Sequence, residues 1–557
     1  MKLEDRGIGM SASPKQNEET GQGAALDFQE HLAKLEKLGL VVTIDRPINK
    51  DTELHPLVRW QFQGGISNDK RRAFVFTNVV DSKGKSYDMP VVVGALASSP
   101  EIYALGMGVP VDRIGDVWLN AIRNPIPPVR VDHAPCQEIV ITGDELKKSG
   151  LSSLPVPNST PGFDASCYLA ATLCVSEDPE TGMRNMGTYR AALKANDRMG
   201  VRMASRLGGA GGYLHWQKYN KRQEKMPVAF VVGCAPVVFF TGPQKLKVGQ
   251  DEMAVAGALA GSAIREVQCK TVDLQVPADA EIVIEGLIDP ELLEPEGPFG
   301  ESHGHVALED FNMSMEITAI TMKENAVFVS IVSQVTPSES STTKKVAYEP
   351  LYLSHLRDTL NVKGIKRVVM HEPLTNVRPV IFLQFEQGAP RTEVWRGLRG
   401  AESLQAQCGK ICIAVSEDVD PSNTDAVLWS LAYRADLGED LVVLPFKSGG
   451  HGPKGSRGSD SALLVDATLK APVTPLALPA QSYMENARKI WEELDLPTLT
   501  PQPPWHGYSL GDWNDTWENW AKRATSGDWA KTGEETYAAR QGGLIPETPV
   551  RSVKKKA

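Results

Sequence analysis

MPVAFVVG (226–233), EIVIEGLID (281–289) and MSMEITAITMK (313–323) decide the fold. Each is a β-branched run bounded by Gly, Pro, Asp or Lys, and each is too short to be a core helix. EIVITG (138–143), ATLCVSED (171–178) and AVFVSIVS (326–333) repeat the signal on either side. Successive runs of this kind predict a β-barrel or sandwich over residues 131–335, with helical inserts around 198–206 and 250–260.

Outward from this centre the pattern changes. FQEHLAKLEKLG (28–39) sets Phe28, Leu32, Leu35 and Leu38 on one helical face and stops at Gly39. LVVTIDRPI (40–48) alternates like a strand. AFVFTNVV and MPVVVGAL flank the turn-like DSKGKSYD, as a strand pair does, and helical patterns follow at 99–106 and 110–122. The proline-rich NPIPPVRVDHAPC (124–136) ends this part, giving an N-terminal α/β domain over 26–130. Strand and helix patterns alternate from YLSHLRDTL to LVVLPF (352–446), predicting a layered C-terminal α/β domain over 336–480. Residues 1–25 read as a mobile arm and 481–557 as a Trp-rich extension. In the extension Trp513, Trp517 and Trp520 have the spacing of one helical face, suited to docking on the body or on another subunit.

The 557 residues carry 59 Lys and Arg against 69 Asp and Glu, a net charge of −10 that argues against generic nucleic-acid binding. Val228–Phe240, interrupted by Gly233 and Pro236, is far short of a membrane span. The first 25 residues lack an apolar signal core, and the seven cysteines form no CxxC pair. A cytoplasmic protein with reduced thiols is expected.

Three stretches could carry chemistry. NMGTYRAAL (185–193) places Asn185 and Arg190 just after a strand. A guanidinium holds a carboxylate by two parallel hydrogen bonds, and an amide oxygen suits a hard cation or a flavin edge. An Arg in such a turn also reads as a surface ion pair. In EPEGPFGESHGH (294–305), Glu296 and Glu301 flank a Gly-Pro-Phe-Gly turn that can bring both to one site. A carboxylate beside another, or in an apolar pocket, is a proton donor near neutral pH. Glu301, His303 and His305 alternate, so on a strand they would share a face and could hold a metal. GQDEMAVAGALAG (249–261) is a short helix carrying Glu252 above small residues. The glycine-rich GGAGG (208–212) and GGHGPKGSRGS (449–459) fit no phosphate-loop pattern, although Lys454 could hold a phosphate.

Taken in order, NMGTYR, KMPVAFVVGCAP, DEMAVAGAL, CKTVDLQVPADAEIVIEG, EGPFGE, VLWSLAYR and LLVDAT resemble the UbiD-type decarboxylases over roughly residues 27–480. The resemblance implies an N-terminal α/β domain, a central flavin-reductase-like split β-barrel and a C-terminal α/β oligomerisation domain with a helical tail. It also implies prenylated FMN, a divalent metal (Mn2+ or Fe2+, with K+ as a further candidate) and a flavin prenyltransferase as maturation partner. The implied reaction is reversible removal of carboxylate from an aromatic or α,β-unsaturated acid through a covalent flavin adduct. The substrate would be a free aryl acid or an aryl-CoA thioester such as phthaloyl-CoA, and the enzyme a homo-oligomer, a dimer or hexamer.

Carried over by motif, Arg190 would hold the substrate carboxylate, Glu301 would donate the proton and Glu296 would position Arg190. Asn185 and Glu252 would hold the metal, and Gly187 and Thr188 would contact the cofactor. Two departures stand out. The family's metal-binding His is missing from LGGAGGYLHWQ (207–217), where His215 is the remaining candidate. Ala462 occupies the position of a phosphate-contacting Lys, which Lys454 could replace. Two readings from other classes are a metal hydrolase built on Glu296, Glu301, His303 and His305, and a non-catalytic subunit of a carboxylase complex.

Overall fold

The computed structural model describes residues 23–203, 210–244, 246, 249–308, 311–447, 460–470, 479–499 and 513–539. Lys454 lies outside them. The chain is a mixed α/β protein with sheets in its N-terminal, central and C-terminal parts.

The helix Phe28–Lys37 starts at Asp27, whose carboxylate accepts from the amides of Gln29 and Glu30. Strands Val41–Ile44, Ala73–Phe76 and Val91–Val93 form a sheet beside it, and the fourth strand is Phe328–Ser330. AVFVSIVS therefore adds to the N-terminal sheet, in parallel with Val91–Val93, rather than to the central one.

The central sheet has nine strands. Its path runs Arg184–Gly187, Thr172–Glu177, Met226–Val232, Ile282–Pro295, Phe311–Met322, Arg198–Val201, Ala191–Ala195 and Tyr168–Leu169, with Ile139–Thr142 pairing onto Phe311–Met322. No ladder among the described residues closes it into a barrel. Yet Gly187 and Ala191, at opposite ends of the path, are joined only by Thr188–Arg190, so they stand no more than about 15 Å apart. Ala170 and Ala171 make a second such link between Leu169 and Thr172. The sheet is thus curled with a split, and both linkers cross the split.

The expected helix at 198–206 is instead the strand Arg198–Val201, paired with Ala191–Ala195 through the two-residue Asn196–Asp197 turn. The helix of this region is Gly211–Arg222. The second predicted insert is present as Glu252–Ala260.

The C-terminal sheet has five strands, ordered Ile365–Met370, Val380–Phe385, Ile411–Ser416, Asp460–Asp466 and Leu441–Lys447. Helix Glu339–Ser354 leads into it through a capping box formed by Ser338 and Ser341. In the extension, Trp513 precedes the N-cap Asn514 and is off the helix Asp515–Thr525, which has no buried residue. Trp520 on that helix points its indole N–H at Glu535 of the following helix, 3.4 Å away. No described helix is long and apolar enough to cross a membrane.

Candidate active site

Arg190 ends the Thr188–Arg190 linker, so the split in the sheet presents its guanidinium. Glu296 follows the long strand Ile282–Pro295. Gly297 then turns the chain with φ +87°, where a Cβ would stand 2.6 Å from that of Ala165. Phe299–Gly300 pairs with Val306–Ala307 and delivers Glu301.

These elements bring Arg190, Glu296 and Glu301 together. Arg190 Nε donates to Glu296 Oε1 at 2.6 Å and Nη2 to Oε2 at 2.9 Å, while Nη1 donates to Glu301 Oε1. Phe299 lies under the guanidinium with its ring centre 4.3 Å away. Burial alone would push Arg190 toward losing its proton. The bonds from Glu296 and Glu301 outweigh burial and raise its proton affinity above the ordinary value. Glu296 is 4% exposed, so its fork with Arg190 also compensates a buried charge.

Arg190 and Glu301 face a cavity of about 280 Å³. Ala170, Phe239 and Ile331 give it apolar walls, and Thr188 lies beside Arg190. Three further cations line it, Arg202, Lys344 and Arg378. No sequence motif marks these three. Lys344 sits in a plain STTKK run, and only the tertiary fold turns it to the cavity.

Asn185 lies on the strand Arg184–Gly187, Glu252 bonds the Met186 amide of that strand, and His215 bonds Ser176 on the neighbouring strand. Glu252 begins its helix, is 8% exposed, and accepts from the Met186 amide at 3.2 Å. Burial raises its pKa to about 7. No cation pairs with it among the described residues. Asp251, the N-cap of that helix, anchors it by taking both Nε and Nη2 of Arg184. Asn185 opposes Ser176 in register, and the Ser176 hydroxyl bonds His215 Nδ1 at 3.0 Å, so His215 approaches the sheet beside Asn185. Burial lowers the pKa of His215, leaving a neutral imidazole with Nε2 unclaimed by Ser176.

The glycines nearby have packing reasons. A Cβ on Gly211 would lie 1.8 Å from Asn185 Oδ1, and one on Gly187 would lie 2.4 Å from the Tyr189 ring.

The hydrolase reading fails on geometry. Among the described residues no three His, Cys, Asp or Glu side chains cluster to hold a metal. Residues 301–305 form a tight turn, with the Gly304 amide on the Glu301 carbonyl, so their alternation does not place them on one strand face. Glu296 and Glu301 are both committed to Arg190.

Comparison with known proteins agrees with this architecture. Three sequence models of 3-octaprenyl-4-hydroxybenzoate carboxy-lyase, the UbiD family, match the chain. The N-terminal domain model matches residues 32–122, the Rift-related domain 128–335 and the C-terminal domain 314–452. The uncharacterized protein sll0936 of Synechocystis is 27% identical over 446 residues, covering 76% of this chain and 85% of its own length. An evolved dimeric form of the UbiD-class enzyme HmfF from Pelotomaculum thermopropionicum, in complex with prFMN, superposes with a TM-score of 0.72 at 26% identity. That match covers 84% of this chain and all of HmfF. The apo 3,4-dihydroxybenzoic acid decarboxylase of Enterobacter cloacae shares the fold, with a TM-score of 0.69 at 22% identity over 83% of this chain and 100% of its own. A curled, split sheet between two α/β parts, with a carboxylate-held guanidinium in the split, is the frame of a carboxy-lyase. The chain belongs to the UbiD family.

Proposed function

We propose that this protein is a prenylated-FMN-dependent decarboxylase of an aromatic or α,β-unsaturated carboxylic acid, acting reversibly and without net oxidation. The observation that carries the reading is the sharing of Arg190 between Glu296 and Glu301 on the wall of the 280 Å³ cavity. A cavity this size lies at the lower end of ligand pockets, roughly 300–1,000 Å³. A single-ring acid fits a space of this size.

The residues fit the cofactor and its metal. Glu252 is a buried carboxylate with no cation paired to it among the described residues, and Asn185 supplies an amide oxygen; such hard oxygen donors suit a divalent ion. Asn185 and Glu252 would hold the metal, His215 is the candidate third ligand, and Thr188 would contact the flavin. Bound there, prenylated FMN supplies an electron-accepting centre for the electrons left behind as CO2 departs.

This chain's own residues do the rest. Arg190 keeps its proton throughout and offers its fork to the substrate carboxylate once Glu301 yields Nη1. Glu296 retains Nε and Nη2, so the guanidinium does not swing away when Glu301 lets go. Glu301, freed of its ion pair and protonated from water, would deliver that proton to the carbon that has lost CO2.

Glu301→Gln cannot deliver that proton. It should lower turnover at least about a hundredfold and abolish deuterium exchange into the product, measured by NMR in D2O. Full exchange in the variant would remove Glu301 from the proton path. Glu252→Ala should lower metal and flavin content together, read by elemental analysis and by mass spectrometry of released cofactor. A fully loaded Glu252→Ala protein would refute the metal-holding role. The first measurement is the cofactor itself: protein co-expressed with a flavin prenyltransferase should release prenylated FMN and a stoichiometric divalent metal. A flavin-free protein, under conditions that load a control enzyme, would overturn the reading.

A further inference from the structure

The cavity holds more positive charge than one substrate carboxylate explains. Arg190 is matched by two carboxylates. Lys344 and Arg378, on the same cavity, have no carboxylate partner among the described residues. Arg378 Nη1 donates to Gln407 Oε1 at 2.8 Å, a neutral acceptor. Its Nε is buried and has no partner among the described residues, and no described group accepts from Nη2, so the Nε–Nη2 edge lacks a described acceptor. That edge has the geometry that receives both oxygens of a carboxylate.

Lys344 projects from the Glu339–Ser354 helix, and its ammonium makes no hydrogen bond or ion pair among the described residues. Burial lowers its pKa to about 7. Arg378 deepens the drop and Glu301 opposes it, which places Lys344 in the field of both. Two cations on one cavity wall, neither paired with a carboxylate among the described residues, are costly to keep charged, and the lowered proton affinity of Lys344 reflects that cost. An anionic ligand on this wall would hold Lys344 in its charged form.

We propose that Lys344 and Arg378 form a second carboxylate-binding subsite, making the substrate an aromatic dicarboxylate with one carboxylate on Arg190 and the other on this pair. The inference rests on the decarboxylase reading for the first carboxylate. Arg378 fixes the plane of the retained carboxylate through its fork, and Lys344 adds a point charge. The ring is thereby oriented, with the departing carboxylate presented to Arg190.

The test measures binding and needs no turnover. Cofactor-loaded protein is titrated calorimetrically with benzoate, isophthalate and terephthalate at pH 6.5, where Lys344 is largely protonated. At least one dicarboxylate should bind tighter than benzoate by tenfold or more, the size of one or two charge-assisted hydrogen bonds, roughly 10–100-fold. In Lys344→Met and Arg378→Gln the ratio of dicarboxylate to benzoate affinity should fall toward one, and Lys344→Arg should restore it.

Equal wild-type affinities for benzoate and both dicarboxylates would overturn the proposal. So would variants that keep the ratio. Variants that instead lose flavin, judged by mass spectrometry of released cofactor, would assign the cations to the cofactor phosphate and also overturn it. Failure of the decarboxylase reading shows separately, as absence of prenylated FMN and of CO2 release, while preference for a dicarboxylate is read by heat alone.

Discussion

Arg190→Ala should abolish decarboxylation, lowering kcat/KM by at least about a thousandfold. Two losses combine. In the proposed mechanism the substrate carboxylate would lose its bidentate donor, and Glu301 would lose the partner that sets its position before the proton is delivered. Glu296 loses the most: at 4% exposure it would remain a buried carboxylate stripped of two charge-assisted bonds. Leaving one partner of a buried ion pair costs about 3–5 kcal/mol, so the denaturation midpoint should fall as well.

The double variant Arg190→Met with Glu296→Gln separates the two effects. It removes the stranded charge and should recover most of the stability without recovering turnover. Arg190→Lys keeps the charge but cannot form the fork with Glu296 while also serving Glu301, so it too should be nearly inactive. Undiminished kcat in a folded Arg190→Ala protein would take this side chain out of the reaction.

Local signals proved readable in the sequence, and pairings across long stretches of chain did not. The β-branched runs from ATLCVSED to MSMEITAITMK are strands of the central sheet because their side chains suit a pleated surface buried on both faces. AVFVSIVS has the same composition. Its partner Val91–Val93 belongs to the N-terminal sheet, more than two hundred residues earlier, and nothing local announces that register. Residues 198–206 carry a helical pattern, yet Asn196–Asp197 between two short runs is a hairpin signal, and the hairpin prevails. Alternation of Glu301, His303 and His305 suggested one face, but alternation has that meaning only on a strand, and Gly304 at φ +88° makes this a turn.

Arg190, Glu296 and Glu301 each stand out locally, but their joint site follows from motif order, which the resemblance supplies and spacing does not. Lys344 and Arg378 are distant in sequence and lie in unremarkable contexts. Their meaning depends on what they lack, a carboxylate partner, and sequence does not display a missing contact.

The remaining large effect concerns Glu339, and it links stability to the cavity. The side chain is fully buried, and both its oxygens are used. Oε1 accepts from the amides of Leu96 and Ala97 at 3.0 and 3.2 Å, and Oε2 from Gly94 and Val332 at 3.1 and 3.4 Å. One carboxylate thus ties the loop after Val91–Val93, the residues after Phe328–Ser330 and the start of the Glu339–Ser354 helix. Glu339→Ala orphans four buried amides and should cost at least about 4 kcal/mol, read by chemical denaturation. Ser340, Thr343 and Lys344 on the same helix line the cavity, so the loss should also loosen the wall that carries Lys344. Glu339→Gln should be destabilised too, because either amide orientation points an NH2 at two backbone donors.

The pH dependence has a definite sign. Burial raises Glu339 to about 7, against the resistance of the four amides, from an ordinary value of 4.5. Between those values the folded protein binds more protons than the unfolded chain, so this group's contribution falls as pH rises from about 4.5 to about 7 and is level above. The difference in stability between wild type and Glu339→Gln, measured at pH 5, 6, 7 and 8, should therefore be largest at low pH. A difference that grew with pH would mean that the amides prevail over burial and that the carboxylate is ionised throughout. The latch would then be an anion held by four donors rather than an acid poised to lose its proton.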